Sequence, residues 1–202
     1  MIIEGLITTL NSDGSAHFTA MGPWFEPEDD GRFELRPFEG STTLQNLSRT
    51  GVGVFHAVDD VDLMARAALG RLEVAPEIQP ARSIDGVVLA NACQWWEFRV
   101  ADHEASPPRH RLRCETVERG IGPAFRGFNR AEHAILEAAI LATRVHLVPR
   151  EQIEAELERL EVWVTKTAGP SQQATWSWLM DELRQRWRRL AERADESEPR
   201  SS

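Results

Sequence analysis

The sequence predicts a mainly β protein followed by a helical C-terminal part, and three observations carry that expectation. Up to about residue 125 the apolar residues alternate, or run in short β-branched stretches bounded by Gly, Pro and Asp. From about Arg126 the apolar spacing changes to three and four. In the first part six strand-like segments are separated by little helix, which favours an antiparallel sheet closing on itself as a barrel. The organisation expected is a barrel domain over 1–125, a helical part over 126–194, and a polar, disordered tail over 195–202.

The first strand is "IIEGLITTL", and Asp13-Gly14 signals a hairpin turn into "SAHFTAMG", which ends at Gly22-Pro23. The acidic stretch "EPEDDG" reads as a loop. It is followed by "RFELR", in which Phe33 and Leu35 alternate with charges as in a strand with one buried face. Ser41 to Ser48 has a hydroxyl start, Leu44 and Leu47 three apart, and Gly51 just beyond, which predicts a short helix capped by Ser41 or Thr42. "VGVFHAV" is a continuous apolar run, the pattern of a strand buried on both faces, and "DLMARAAL" is a further short helix closed by Gly70. "ACQWWEFRVADHE" and "HRLRCETVER" are the last two strands, joined by a Ser-Pro-Pro turn across Ala105 to Arg109.

In the helical part Asn129 stands as an N-cap with Glu132 three residues on, ahead of Ile135, Ala138, Ala142 and Val145. Pro149 opens a second helix with Ile153, Leu157, Leu160 and Val164 on one stripe. Gly169-Pro170 breaks it. Ser171 is placed to cap a third, striped by Trp176, Leu179, Leu183, Trp187 and Leu190, so the last two helices form a hairpin.

Composition narrows the function. The chain of 202 residues carries a net charge of −9, and residues 1–100 hold 15 Asp and Glu against 7 Arg. Such a surface repels nucleic acid and anionic membranes, so a phosphate bound there needs local donors rather than a general positive field. No apolar run is long enough to span a bilayer, and the opening "MIIEGLITTL" lacks the basic flank of a signal peptide, which predicts a cytoplasmic protein. Cys93 and Cys114 form no C-x-x-C pair, so both read as reduced structural thiols.

Few motifs carry chemistry. None of the six His shows metal-ligand spacing, and no metal site is expected. "EGSTTL" lacks the second Gly of a nucleophile elbow, and neither GxGxxG nor a Walker loop occurs. Asp59-Asp60 could bind a cation or act as acid and base, or simply cap the next helix. The arginine-dense "LRQRWRRLAER" could meet nucleic acid, but cations at a helix C-terminus are also what the macrodipole favours. The hydroxyl cluster Ser41, Thr42 and Thr43 remains. At a helix start it combines side-chain donors with free backbone N–H groups, which is either an anion site, with Arg36 adding a charged contact, or a plain cap. Thr8 and Thr9 form a second hydroxyl pair.

The blocks "EGLITTLNSDGSAHFTAMG", "FELRPFEGSTTLQNL", "HAVDDVDLMARAALG", "WWEFRV" and "GFNRAEHAILEAAILATRVHLV" together resemble the DUF447 family of the FMN-binding split-barrel superfamily, which includes flavin reductases and pyridoxamine phosphate oxidases. The resemblance implies a six-stranded Greek-key split barrel that forms a homodimer with FMN at the interface. It implies that Ser41, Thr43 and Asn46, with Thr42 and Arg36 beside them, hold the phosphate. Thr8 and Thr9 match the family's T-T, and Met21 and Gly22 match the M-G where the backbone approaches the flavin ring. Asn129 and Arg130 are either a second anion contact or a helix cap. Thr19-Ala20 stands where the family commonly has A-P, and Val61 where it has Pro. The implied activity is FMN-dependent oxidoreductase chemistry of flavin-reductase type, with NAD(P)H or a pterin as partner. The alternative is a non-catalytic protein that stores or senses FMN or another phosphorylated ligand.

Overall fold

The computed structural model describes residues 1–26 and 29–197. The chain divides into two units, Met1–Asp60 with Gly70–Arg126, and Val61–Leu69 with the residues from Gly127 onward.

The first unit is built on a seven-stranded antiparallel sheet of β1 (Leu6–Leu10), β2 (Ala16–Ala20), β3 (Trp24–Glu26), β4 (Asp29–Leu35), β5 (Val52–Ala57), β8 (Gln94–Glu104) and β9 (Arg111–Ile121), in the order β2-β1-β5-β8-β9-β4-β3. A separate ribbon pairs β6 (Ile78–Pro80) with β7 (Val87–Leu89). The sequence leads to six strands; β3 is the seventh of the sheet. It occupies part of the stretch read as an acidic loop, and β4 begins three residues ahead of Arg32. Residues 27 and 28 of that loop lie outside the described residues. The named strands form an open ladder. Ahead of β1, Met1 and Ile3 exchange main-chain hydrogen bonds with Pro23 and Phe25, and Ile2 bridges Trp24 on β3.

Register explains why β5 is buried on both faces. Ile7, Phe55 and Trp96 are opposite one another across β1, β5 and β8 and point into one core with Phe25, Phe33, Leu35, Phe98, Leu112 and Cys114. Leu6, Thr8, Val54, His56, Trp95 and Glu97 fall on the other face by the period of two, and all six are buried. Buried polar side chains on that face hold the ribbon region. Thr8 Oγ1 donates to Val87 O at 2.6 Å, and the Glu97 carboxylate accepts from Arg82 N at 2.9 Å and Ser83 N at 2.7 Å. Helix α1 (Thr42–Thr50) closes the first core with Leu44 and Leu47, and Gly51 ends it at φ +68, a conformation only Gly adopts cheaply.

The second unit is helical: α2 (Val61–Leu69), α3 (Arg130–Thr143), α4 (Arg150–Thr167) and α5 (Pro170–Ser197). Helix α2 falls within the 1–125 span of the sequence, yet its Ala65 and Leu69 belong to the helical core. Thr175 Oγ1 donates to Asp62 Oδ1 at 2.9 Å, and Arg186 donates to Leu69 O at 2.8 Å, so α5 binds both ends of α2. Ala131, Ala134, Ala138, Ala139 and Ala142 give α3 a small-residue face that α4 and α5 can approach closely. Helix α5 begins at Pro170, one residue ahead of the expected cap Ser171, because Pro fits the first helical position. It runs to Ser197, over the first residues assigned to a disordered tail; residues 198–202 lie outside the described residues. Among the described residues no helix is long and apolar enough to cross a membrane.

Candidate functional site

The hydroxyl cluster sits where the sequence places it, at the start of α1. A turn closed by Ser41 N–H donating to Phe38 O at 3.1 Å leads into Ser41, whose extended backbone (φ −69, ψ 146) makes it the N-cap. Its Oγ accepts from Leu44 N at 3.3 Å, which settles the choice between Ser41 and Thr42. The N–H groups of Thr42 and Thr43, the first two helical positions, have no acceptor within the helix. There is no acidic residue in the first turn. In a chain of net charge −9, this leaves a local concentration of donors with no carboxylate among them.

A polar network joins this helix to the β1–β2 hairpin. Asn46 Nδ2 donates to Thr9 Oγ1 at 3.0 Å and to Asn11 Oδ1 at 3.0 Å, while its Oδ1 accepts from Arg49 at 3.3 Å. Arg49 also donates to Leu10 O. His17 Nε2 is in hydrogen-bond contact with Thr43 Oγ1 at 3.2 Å. Thr9, Thr43 and Asn46 are all buried. Burial lowers the His17 pKa, so in the free protein the ring favours its neutral form.

The structure brings Thr9, Ser41, Thr42, Thr43 and Asn46 together and gives the other residues different surroundings. Thr8 faces the opposite side of β1 and is engaged by Val87. Arg36 pairs with Glu34 at 2.5 Å and lies 4.4 Å over the Trp24 ring. Arg111 holds the second Glu34 oxygen at 2.8 Å. Burial works to raise the Glu34 pKa, but the two guanidiniums outweigh it and hold the carboxyl below its ordinary value. Met21 donates its N–H to Gly5 O at 3.0 Å. Gly22 has no room for a side chain, since a Cβ there would be 2.5 Å from Ile2 Cγ2 and 3.2 Å from a Glu4 carboxylate oxygen.

Asn129 and Arg130 belong to the helical unit. Asn129 is the N-cap of α3, accepting from Ala131 N at 2.8 Å and Glu132 N at 3.4 Å, and its Nδ2 donates to Thr167 O at 3.2 Å. Glu132 accepts from Gln172 at 2.9 Å. Arg130 is exposed at the first helical position. Of the acidic pair, Asp59 accepts from Arg126 N at 3.0 Å and Arg126 Nε at 2.9 Å. In α5, Arg184 and Arg186 pair with Asp181 and Glu182.

Sequence reasoning passed over His17 and Asn11. The signal was present in the hairpin itself, because a turn at Asp13-Gly14 puts Thr9 opposite His17, as the register shows. Among the described residues no three His, Cys, Asp or Glu side chains group as metal ligands.

Comparison with solved structures finds the same architecture elsewhere. The FMN-bound DUF447 protein of Methanosarcina mazei superposes with a TM-score of 0.77 at 20% identity, over 90% of this chain and 94% of that one. Two further likenesses are confined to part of the chain. The 2-nitrobenzoate 2-nitroreductase of Pseudomonas fluorescens gives a TM-score of 0.51 at 22% identity, over 58% and 64% of the two chains. The styrene monooxygenase flavin reductase of Pseudomonas putida S12 gives 0.52 at 11% identity, over 59% and 81%. At such identities the likeness is one of fold. A search of curated proteins by sequence finds no match. Family membership rests on sequence: residues 3–122 match the N-terminal domain model described as protein of unknown function (DUF447), and residues 129–181 match the second DUF447 model. The break between the two matches falls beside Gly127, where the second, longer stretch of the helical unit begins, while α2 lies inside the first match; with both matches the chain belongs to the DUF447 family.

Proposed function

We propose that this protein is a homodimeric FMN-binding flavoprotein whose phosphate clamp is the first turn of α1. The observation that carries the reading is the donor set described above: Ser41 as cap, the N–H groups of Thr42 and Thr43, and no acidic residue in that turn. This chemistry fits a phosphate dianion, and a family relative is FMN-bound. The pairing of Met1 and Ile3 with Phe25 and Pro23 supports taking the sheet as the six-stranded Greek-key split barrel of the superfamily.

In this reading Thr42 and Thr43 donate main-chain and hydroxyl hydrogens to the phosphate, and Asn46 with Thr9 fixes the helix to the hairpin. Met21 and Gly22 present main chain to the flavin ring. Arg36 keeps Nε on Glu34 and turns the rest of its guanidinium to the ligand. Arg130 is the remaining charged donor assigned by resemblance. A bound flavin supplies hydride or electron transfer, with a reduced nicotinamide or a pterin as its partner. The protein supplies the clamp, the orientation of the ring and the exclusion of water.

The test is the visible spectrum of the purified protein after incubation with FMN and desalting, followed by anaerobic addition of NADH or NADPH. A retained flavin spectrum that bleaches rapidly supports an oxidoreductase. Retained flavin without bleaching supports a storage protein, and a colourless protein rejects the site.

A further inference from the structure

His17 has no part in the functional reading so far, yet it is the titratable side chain in hydrogen-bond contact with the clamp. We propose that His17 is a positioning residue that couples phosphate binding to proton uptake, so that affinity for a phosphorylated flavin rises as pH falls towards about 6. The inference rests on the FMN reading above.

Register places His17 opposite Thr9, on the face of the hairpin that carries the network to α1. Its Nε2 meets Thr43 Oγ1 at 3.2 Å. When the ring nitrogen is the donor of that bond, the Thr43 hydroxyl keeps its own hydrogen for another acceptor, and a phosphate oxygen is the acceptor this helix start favours. The ring therefore sets which way the hydroxyl gives its proton.

The charged surroundings decide the direction of the coupling. From α1 the network contributes the cation Arg49, engaged with Asn46 and with Leu10 O. From β1 and its end the network contributes Thr9 and Asn11, both neutral. In the turn, the Asp13 carboxylate is taken up by the Ser15 N–H at 3.0 Å and the Ser15 hydroxyl at 2.6 Å. With burial against it and no carboxylate among its hydrogen-bond partners, His17 is biased towards its neutral form in the free protein. A dianion on Thr43 would lie within about two hydrogen-bond lengths of the ring, a separation at which an opposite charge stabilises the imidazolium. A ring that titrates low when free and higher when bound takes up a proton on binding. Affinity then gains up to about tenfold per pH unit between the two titrations.

The experiment measures FMN and riboflavin affinity from about pH 8 to about pH 6, for the native sequence and for His17→Gln. It also counts protons by calorimetry in two buffers of different ionisation enthalpy. Glutamine keeps an N–H for Thr43 and cannot titrate, and His17→Asn stands in if that variant fails to fold. The FMN phosphate itself titrates at about pH 6 in both experiments, so the difference between the two profiles isolates the ring. The expected result is proton uptake with the native protein and an FMN affinity that strengthens several-fold more on acidification than in His17→Gln. Riboflavin affinity should change equally little in both. Identical FMN profiles with no difference in proton count would overturn the role of His17 while leaving the clamp in place. Failure of the native protein to bind FMN at any pH would overturn the clamp, and this inference with it.

Discussion

The backbone N–H of Leu89 donates to Nε2 of His56 at 3.1 Å, so the opposite ring nitrogen carries the hydrogen and donates to Leu6 O at 3.2 Å. The imidazole is fully buried and neutral, and burial pushes its pKa down to about 4 against the pull of the Leu6 carbonyl. One uncharged tautomer thus links β1, β5 and the ribbon.

Acid should loosen this link. The folded pKa is depressed, so the unfolded chain binds the proton first, and stability falls as pH drops below the ordinary His value towards about 4. At about 1.4 kcal/mol per pH unit the loss is roughly 3 kcal/mol. Urea midpoints taken across this window should decline in the native protein. His56→Gln, which has no imidazole to protonate, should start lower and show a flatter profile until the carboxylates Glu34 and Asp59 begin to protonate.

Replacing Ser41 and Thr43 together, by Ala and Val, should weaken FMN binding by at least tenfold, since hydrogen bonds to a charged group contribute about 1.5–3 kcal/mol each. Fluorescence titration with FMN gives the answer. Unchanged affinity would place the phosphate elsewhere, whereas the loss of the Leu44 cap contact should cost stability only about 1 kcal/mol.

Glu97 is fully buried and spends both oxygens on the N–H groups of Arg82 and Ser83. Glu97→Gln turns one acceptor into a donor facing an N–H, and should cost about 1.5–3 kcal/mol. Hydrogen exchange should report it locally: the Arg82 and Ser83 amides should exchange faster before any change appears in β9.

Gly120 is opposite Trp95, and a Cβ added there would sit 1.8 Å from Trp95 Cζ2. Trp95 is 6% exposed, so the ring has little space to retreat into. Gly120→Ala should destabilise by about 1–3 kcal/mol or more by overpacking. Thermal denaturation should show the penalty shrinking when Trp95→Leu is combined with it, a coupling that independent sites would not give.

Local chemistry made much of this architecture legible. Ser41 and Gly51 bound α1 because a hydroxyl cap and a left-handed Gly are strong signals, and the mostly apolar β5 announced that something covers its second face. The ribbon whose β7 lies against that face was not readable. Each strand has three residues, too few for a period, and what fixes them is the long-range set Thr8, His56 and Glu97. For the same reason β3 was invisible, as its pairing partners are Met1, Ile2 and β4. At the site, the Thr and Ser residues stood out as a cluster. His17 did not, because its contact with Thr43 spans 26 residues. The bond from Thr8 to Val87 was equally hidden, since it spans 79 residues and in isolation a structural hydroxyl and a ligand-binding one are the same side chain.

The chain leaves the sheet unit at Val61, returns at Gly70 and departs again at Gly127. A cut after Arg126 would therefore not release two self-sufficient halves. The C-terminal fragment would lack Ala65 and Leu69 from its interior, and the N-terminal fragment would carry a helix whose apolar side belongs to the missing piece. The two family matches are thus separate stretches of sequence, while the helical unit draws its residues from both.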